Sequence, residues 1–321
     1  MEEIQFFMDK FIEIIVPESG FPVKKAVIAL GVFDGVHPGH RQVVATAGKL
    51  AKELGAVTGA VTFIPHPRQV LGNENGFKLL LPEAERCKAL LSSGADFVGK
   101  INFSAEISQW DAGKFLCALR DCGLFELAGI CVGSNWKFGK NGCGNKTVLE
   151  DFCKRNDIVF SPVEEITDDG GVISSTRLRK MISQGELEQY RETSGNFPML
   201  YGKVVSGMHI AGKELAAPTA NLEADYGVLV PHGVYCGYSC VDGETFPAVL
   251  NIGPAPTYNV EQTRVEIHLL GFNGTLYGRE LPVYLVKKLR DIRKFASPQE
   301  LKEQIMLDIA SAREATSFIE K

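Results

Sequence analysis

The sequence GVFDGVHPGH at residues 31–40 lies between a run of apolar residues and a segment with helical periodicity. Gly35 and Gly39 allow the backbone to approach a ligand closely, and the amides and dipole of a helix start favour a phosphate group. His37 and His40 stand three residues apart at that helix start, so both imidazoles lie on one face and can reach oxygens of a reacting phosphorus. The stretch predicts a strand–loop–helix site for a triphosphate; the alternative is a tight turn with two surface histidines.

The residues around this stretch, from about Lys25 to Gln189, alternate short apolar strands with helical segments. Strands separated by helical crossovers are typical of a parallel sheet that is covered on both faces. We therefore predict an N-terminal α/β domain of the doubly wound, Rossmann-like class, and we place it at residues 1–192.

The C-terminal part, residues 193–321, shows short alternating runs bounded by Gly, Pro and Asn. Such runs predict a small antiparallel β-barrel. A terminal helix is predicted to follow, with Ser297 as its N-cap, Pro298 at the first helical position and Glu300 completing a capping box. Apolar side chains recur at helical spacing after this cap, so we expect the helix to pack against the barrel.

The composition limits the class of protein. With 321 residues, 45% apolar and 23% charged, the chain is long enough for two globular cores. Its longest apolar runs fall short of the ~20 residues that a membrane-spanning helix needs. The first residues include Glu2, Glu3 and Asp9 where a secretory signal would be basic, which argues against export. The net charge of −5, without a basic block, argues against nucleic-acid binding.

Eight cysteines occur without a C-x-x-C pair and without a histidine at metal-ligand spacing. Disulfides are rare in the cytoplasm, where thiols stay reduced. We therefore expect a cytoplasmic protein with free thiols, with neither a membrane span nor a nucleic-acid partner.

A second motif, ISSTRLRK, occupies residues 173–180 and precedes a helical pattern. The hydroxyls of Ser174, Ser175 and Thr176 suit a helix N-terminus and can donate to phosphate oxygens. Arg177 and Arg179 add positive charge for a leaving pyrophosphate. The alternative is a capped surface helix with ordinary arginines.

The barrel region contains a third group of polar residues. Pro218 begins the sequence PTAN, in which Thr219 and Asn221 lie two residues apart on one side of an extended segment. Both offer oxygen ligands of the kind that Mg²⁺ accepts beside nucleotide phosphates. In RVEIHLL, alternation places Glu266 and His268 on the face opposite the apolar side chains, so the acid faces either a site or solvent.

Together these motifs resemble those of the bifunctional riboflavin kinase/FAD synthetases of bacteria, from about Ala26 to Asp308. GVFDGVHPGH is similar to the H-x-G-H signature of nucleotidyltransferases in its FAD synthetase form, and ISSTRLR is similar to the segment that closes over ATP. PTAN is the diagnostic tetrapeptide of riboflavin kinases, and the later segments NIGPAPTY, VEIHLLGF and LYGREL agree in order.

The resemblance implies that ATP and Mg²⁺ convert riboflavin to FMN in the barrel domain, and that ATP and FMN give FAD and pyrophosphate in the N-terminal nucleotidyltransferase domain. It implies that His37 and His40 stabilise charge on the α-phosphate and that Glu266 is the base for the ribityl hydroxyl. Thr219 and Asn221 are the implied Mg²⁺ ligands. The remaining ATP-binding residues implied by it are Gly31, Phe33, Asp34, Gly39, Ser174, Ser175, Thr176 and Arg177.

Two further segments fit the FAD synthetase pattern and suggest flavin contacts. TFIPHPRQVL places His66 between two prolines, with Pro67 fixing the backbone as a rigid wall beside a substrate would require. GSNWKFGKNGCGN resembles a family element in which Asn135 holds FMN and Phe138 packs on an aromatic ligand. For each segment a purely structural turn is an equal alternative.

The chain departs from the riboflavin kinase pattern just before PTAN, where Ala216 and Ala217 replace a glycine and a bulky residue. This leaves three hypotheses: a bifunctional enzyme, an adenylyltransferase for another substrate, and an FMN adenylyltransferase with a weak or non-catalytic flavin-binding C-terminal module. The stretch GMHIAGK at residues 207–213 imitates a Walker A motif, but Glu214 replaces the required hydroxyl residue, so we reject a P-loop.

Overall fold

A computed structural model of the protein describes residues 11–15, 25–72, 77–205, 220–227, 230–254 and 263–320. The chain forms two compact units. The first comprises the chain up to Phe77 together with Glu83–Ser174, and the second comprises Lys78–Pro82 and the chain from Ser175 onward. Each unit has its own hydrophobic core. The domain boundary that the sequence predicts, at residues 192/193, stays a prediction.

The first unit is built on a six-stranded sheet in the order β1-β4-β3-β2-β5-β6. The edge strand β1 is antiparallel to β4, and the other neighbours are parallel, as the crossover pattern predicted. The strands are β1 (Ile12–Ile15), β2 (Lys25–Leu30), β3 (Val57–Ile64), β4 (Phe97–Asn102), β5 (Glu126–Gly133) and β6 (Val159–Val163). The predicted doubly wound, Rossmann-like class is therefore confirmed.

Within the described ranges, five helices connect these strands: α1 (Pro38–Leu54), α2 (Pro67–Leu71), α3 (Glu83–Ser92), α4 (Ala112–Arg120) and α5 (Lys146–Arg155). Local sequence explains where several of them begin. Asp111 and Asn145 accept hydrogen bonds from backbone N–H groups of α4 and α5, and proline occupies the first position of α1 and α2. A short hairpin follows the sheet; its two strands, β7 (Thr167–Asp168) and β8 (Gly171–Val172), have two residues each.

The second unit contains a closed six-stranded barrel in the order β10-β13-β12-β11-β14-β9. All its neighbouring strands pair antiparallel, as predicted. The strands are β9 (Met199–Val205), β10 (Ala220–Tyr226), β11 (Gly233–Val241), β12 (Glu244–Pro254), β13 (Thr263–Leu269) and β14 (Glu280–Arg290). Helices α6 (Ser175–Gln184) and α7 (Leu187–Ser194) contribute buried side chains to the same core as the barrel.

The terminal helix α8 (Pro298–Ala315) packs on β11, β12 and β14. Ser297 accepts a hydrogen bond from the Glu300 backbone N–H at 3.2 Å, so the predicted N-cap is present. Within the helix, Asp308 is buried and receives a bidentate bond from Arg290 on β14. This charge pair fixes α8 against the outer face of the barrel.

No helix in the described ranges combines the length and the apolar character needed to cross a membrane.

Candidate active sites

The loop after β2 holds an unusual backbone conformation. Phe33 and Val36 have φ angles of 53° and 38°, and Gly35 lies between them with φ 83°. Side chains other than glycine adopt positive φ only at an energetic cost, which recurs at functional sites. Phe33 and Val36 are both buried, so packing holds the loop in this form. Gly31 and Asp34, the other predicted ATP-binding residues of this loop, are buried as well.

The two histidines of this loop lie together at the start of α1. His37 is the N-cap residue, and its ring stacks on that of His40 with 3.6 Å between centroids and 23° between planes. A Cβ on Gly39 would lie 3.2 Å from Cε1 of His37, so glycine gives the imidazole its room. The ring of Phe33 packs edge-on against that of His40, with 5.3 Å between the ring centroids. The two imidazoles are thus in direct contact and lie at the same place at the start of α1.

Burial keeps both imidazoles neutral. It lowers the pKa of His37 to about 4, with a smaller contribution from the Arg41 charge. The pKa of His40 is held well below its usual value, first by desolvation and then by His37, Arg86 and Arg41. Within the described residues, Nδ1 of each histidine is buried without a hydrogen-bond partner. The pair therefore offers unused imidazole nitrogens beside a helix N-terminus, where an anion is favoured.

A buried arginine that the motifs did not predict lies next to this loop. Arg86 on α3 is 1% exposed, and its guanidinium donates to the carbonyl oxygen of Val32 at 3.2 Å. A longer bond of 3.5 Å joins it to the carbonyl of Phe63 on β3. Asp34, also 1% exposed, is an electrostatic partner that opposes the lowering of the arginine's pKa by burial. A sequence signal existed, since Arg86 stands with Cys87 and Leu90 on the buried side of α3.

His66 has a structural task in the first unit. Its Nδ1 accepts from the Arg68 backbone N–H at 3.1 Å. The backbone N–H of His66 donates to Oε1 of Gln69 at 3.1 Å. It therefore caps α2, which Pro67 begins. The His66 ring lies 4.7 Å from that of Phe77. Contact of His66 and Pro67 with a flavin stays a prediction.

The segment after β5 carries a stacked pair of aromatic side chains. Phe138 is buried, and the half-buried Trp136 stacks on it with 4.6 Å between ring centroids and 11° between planes. Asn135 is exposed and donates to the carboxylate of Glu165. Phe138 belongs to the hydrophobic core of the first unit and Trp136 packs against that core, and contact of Asn135 and Phe138 with a flavin stays a prediction.

The residues of the ISSTRLR motif are divided between the two units. Ser174 ends the first unit, whereas Ser175, Thr176 and Arg177 form the first turn of α6 in the second. Arg179, one turn into the helix, donates to the Lys78 carbonyl at 2.8 Å. Binding of ATP by these residues stays a prediction.

In the barrel, three polar residues form a row across neighbouring strands. Glu266 on β13 is paired with Asn221 on β10 and with Asn251 on β12, and directly paired residues project from the same face of a sheet. Val265, Ile267 and Leu269 are buried in the barrel core, so Glu266 faces outward as its alternation predicted. The Asn251 amide donates to Glu266 at 3.5 Å, and an Arg264 nitrogen lies 3.4 Å from its other oxygen.

One oxygen in this row is suited to a metal ion. Oδ1 of Asn221 is buried and has no hydrogen-bond partner in the part of the chain that the structure describes. A carboxamide oxygen beside a carboxylate is a ligand set that Mg²⁺ accepts. Thr219, the other predicted ligand, lies outside the described residues, as do Ala216 and Ala217.

Glu266 lines a cavity of about 340 Å³ between the outer face of the barrel and α8. This size lies in the range of small-molecule sites. The other polar residues that line it are Asn251, His268, Arg290, Arg293 and Asp308. Apolar residues complete the lining: Val234, Val249, Ile292, Phe295, Leu301, Ile305 and Ile309. The sequence identified Glu266 but not Asn251 or the part of α8 that faces it.

Comparison with known proteins assigns each part of the chain to a family. The FAD synthetase family matches residues 22–177, and the riboflavin kinase family matches residues 194–316. A bifunctional riboflavin kinase/FMN adenylyltransferase of Bacillus subtilis is 32% identical over 88% of this chain and 90% of its own length. One of Buchnera aphidicola is 30% identical over 92% and 95%, respectively. A crystal structure described as a macrolide-efflux protein of Streptococcus pneumoniae has a TM-score of 0.79 and 27% identity, covering 92% of this chain and 96% of that one.

Proposed function

The chain belongs to the bifunctional riboflavin kinase/FMN adenylyltransferase family, and we propose that it performs these two reactions with separate groups of residues in its two units. The barrel unit transfers the γ-phosphate of ATP to riboflavin and forms FMN. The α/β unit joins FMN to the adenylyl group of a second ATP, forming FAD and pyrophosphate. The observation that carries this assignment is that the stacked imidazole pair and the Glu266 row lie in different units.

In adenylyl transfer, an oxygen of the FMN phosphate attacks the α-phosphorus of ATP while the bond to pyrophosphate breaks. No covalent intermediate with the protein is needed, so the task is alignment and stabilisation of charge. His37 and His40 are neutral in the free protein, and each can donate an imidazole N–H to an oxygen of the reacting phosphate. The strained turn and the start of α1 hold these donors in place before ATP binds.

The remaining residues of the FAD synthetase motifs bind the two substrates in this proposal. Asn135, Phe138, His66 and Pro67 surround the flavin, with the stacked Trp136 and Phe138 as an aromatic support. The loop residues Gly31, Phe33, Asp34 and Gly39, and the segment of Ser174, Ser175, Thr176 and Arg177, contact ATP.

In the kinase reaction, Glu266 removes the proton from the ribityl hydroxyl of riboflavin, whose oxygen then attacks the γ-phosphorus and releases ADP. Asn251 and Arg264 orient the Glu266 carboxylate. Riboflavin occupies the cavity between the barrel and α8, where apolar side chains suit its ring system. Asn221 and Thr219 would hold the magnesium ion that accompanies ATP, and the ion would neutralise charge on the phosphates.

We place the protein in the cytoplasm, without a nucleic-acid partner. All eight cysteines are free thiols, five of them buried and none paired, which suits a reducing compartment. Their arrangement gives no sign of a disulfide-stabilised core.

Single substitutions separate the two reactions. We expect His37→Ala or His40→Ala to reduce FAD formation from ATP and FMN by about 10²- to 10³-fold, because donors to the reacting phosphate are lost. FMN formation from riboflavin stays intact in both variants. Glu266→Ala reverses this pattern and reduces FMN formation by about 10²- to 10⁴-fold. Products are separated by chromatography after incubation with ATP, Mg²⁺ and either flavin.

His232→Ala is the matched control, because His232 is an exposed barrel histidine outside both groups of residues. Equal loss of both activities from His40→Ala or from Glu266→Ala would contradict separate sites. The departure at Ala216 and Ala217 motivates a second candidate, an FMN adenylyltransferase with a non-catalytic barrel. In that case the wild-type protein forms FAD only from supplied FMN and forms no FMN from riboflavin.

A further inference from the structure

Arg86 is a buried cation to which the proposed mechanism gives no role. Its guanidinium reaches the carbonyl oxygens of Val32 and Phe63, which belong to the loop after β2 and to β3. The Val32 carbonyl receives a second donor, because the buried hydroxyl of Thr62 bonds to it at 2.8 Å. Val32 directly precedes Phe33, the first residue of the strained turn. Two side chains from other elements thus hold the backbone just before the histidine loop.

For fold stability, an arginine at this position supplies donors to two backbone carbonyls but carries a large desolvation cost. A guanidinium loses its hydration on burial, and an apolar side chain of similar volume fills such a place at no comparable desolvation cost. Arg86 offsets part of this cost through two carbonyls and through Asp34, a member of the same loop. Its contacts therefore concentrate on the loop that carries the two histidines.

We propose that Arg86 is a positioning residue for adenylyl transfer, which holds the Val32 carbonyl and Asp34 so that the turn presents His37 and His40 to the substrate phosphates. This inference rests on the proposed role of the histidine pair. Arg86 acts through the loop and does not itself contact the reacting atoms. Thr62 assists it, because both side chains donate to the same carbonyl oxygen.

The charge of Arg86 also bears on the state of the imidazoles. Three groups lower the pKa of His40 electrostatically, namely His37, Arg86 and Arg41, in addition to desolvation. Loss of one positive charge raises the pKa of His40, so the free protein takes up a proton at a higher pH. The acidic limb of the pH profile for FAD formation therefore moves upward when the charge is lost.

The test uses the full chain and two substitutions of Arg86. Arg86→Met removes both the charge and the hydrogen bonds, and Arg86→Lys keeps the charge but loses the planar fork that reaches two carbonyls. We expect Arg86→Met to lower kcat for FAD formation by about 100-fold, with the KM for ATP changed far less, because the donors are misplaced. Its acidic limb shifts upward. Arg86→Lys lowers kcat by a smaller factor and leaves the limb where it is.

Controls separate this effect from unfolding. Arg155→Met is the matched control, because Arg155 is exposed and, among the described residues, donates to a carbonyl of its own helix. Both tryptophans of the chain lie in the first unit, so their fluorescence reports whether that unit is folded. FMN formation from riboflavin reports on the barrel unit in the same samples.

Three outcomes overturn the inference. One is an Arg86→Met variant that is less stable but keeps its kcat and its pH profile. If Arg86→Met does not fold, Arg86→Lys and Thr62→Val decide, and unchanged kcat in both overturns the proposal. A wild-type protein that makes no FAD overturns the proposed function itself, and the inference with it. If the wild-type protein forms FAD normally and the variants keep its kcat, the inference alone is overturned.

Discussion

At the scale of single residues, the chemistry of the first unit depends on desolvation. A solvated histidine is partly protonated near neutral pH, but burial among apolar neighbours favours the uncharged ring of His37. The stacked arrangement also makes simultaneous protonation of His37 and His40 unfavourable, because the two rings lie 3.6 Å apart. The pair is therefore held as neutral donors. The free energy of unfolding falls on acidification as a consequence.

The stability of the first unit is predicted to fall as the pH falls from 6.5 to about 4, the interval between the ordinary and the lowered pKa of His37. In this interval the unfolded chain binds a proton at that position and the folded protein does not, so acidification favours unfolding. His37 alone contributes a loss of up to about 3 kcal/mol, and His40 acts in the same direction. Below this interval His37 adds no further loss.

Urea unfolding followed by tryptophan fluorescence measures this effect, since Trp110 and Trp136 both lie in the first unit. His37→Gln removes the titrating group, so its unfolding free energy should depend less steeply on pH across the interval. His232→Gln, in the barrel unit, should keep the wild-type slope. A slope that is the same in His37→Gln and in the wild-type protein would show that His37 is not held neutral in the folded state.

At the scale of elements, register and helix docking assemble the barrel site. Pairing of β13 with β10 and β12 sets Asn221, Glu266 and Asn251 side by side, although they lie far apart in sequence. A shift of one residue in any of these strands would turn its polar side chain toward the core. Helix α8 then supplies the opposite wall of the cavity. The site thus requires both the closed barrel and the docked helix.

The docking of α8 depends on the ion pair between Arg290 and Asp308, whose shortest N–O distance is 2.9 Å. Asp308→Asn leaves the Arg290 guanidinium without its counter-charge in a largely buried position, which costs about 3 kcal/mol. We expect a lower melting temperature and a higher KM for riboflavin, because the helix wall of the cavity loosens. Circular dichroism and kinase assays measure these changes.

Glu303→Gln is the control for this substitution. Glu303 lies on the exposed side of the same helix, and loss of its charge should change the unfolding free energy by less than about 0.5 kcal/mol. FAD formation from supplied FMN should remain normal in Asp308→Asn. A normal KM for riboflavin in a destabilised Asp308→Asn protein would argue that α8 does not shape the flavin site.

At the scale of the whole molecule, two compact units each carry a hydrophobic core, and the histidine pair and the Glu266 row lie in different units. The product of the kinase reaction, FMN, is the substrate of the adenylyl transfer. Separate sites require that FMN leave one and enter the other.

A mixture of two variants that each lack one of the two activities is therefore predicted to convert riboflavin to FAD. His40→Ala makes FMN but cannot adenylylate it, and Glu266→Ala cannot make FMN but accepts it from solution. Neither variant alone should form FAD from riboflavin at an appreciable rate, whereas the mixture should do so after a lag in which FMN accumulates. Chromatography over time follows the three flavins. A mixture that accumulates FMN without FAD, while Glu266→Ala still uses supplied FMN, would contradict exchange through free FMN.

Much of this organisation follows from local patterns in the sequence. Both fold classes were indicated by the alternation of strands and helices, by the change to short alternating strands after about Thr193 and by the capping residues of α8. Such patterns are visible because secondary structure depends on short-range periodicity. The motif of His37 and His40 indicated a phosphate site in the same way, since three residues within one helical turn determine a shared face. The family resemblance rests on such contiguous segments.

By itself the sequence determined the two fold classes, the histidine pair and the outward direction of Glu266, because each depends on residues that are near neighbours along the chain. Only the tertiary structure decided that Arg86 lies against Val32, 54 positions away, and that Asn251 and α8 enclose the cavity beside Glu266. These contacts form when the sheet stacks and the barrel closes. The tertiary structure also decided the desolvation of the imidazoles, because a pKa depends on the atoms that surround a group in space rather than on its place in the sequence.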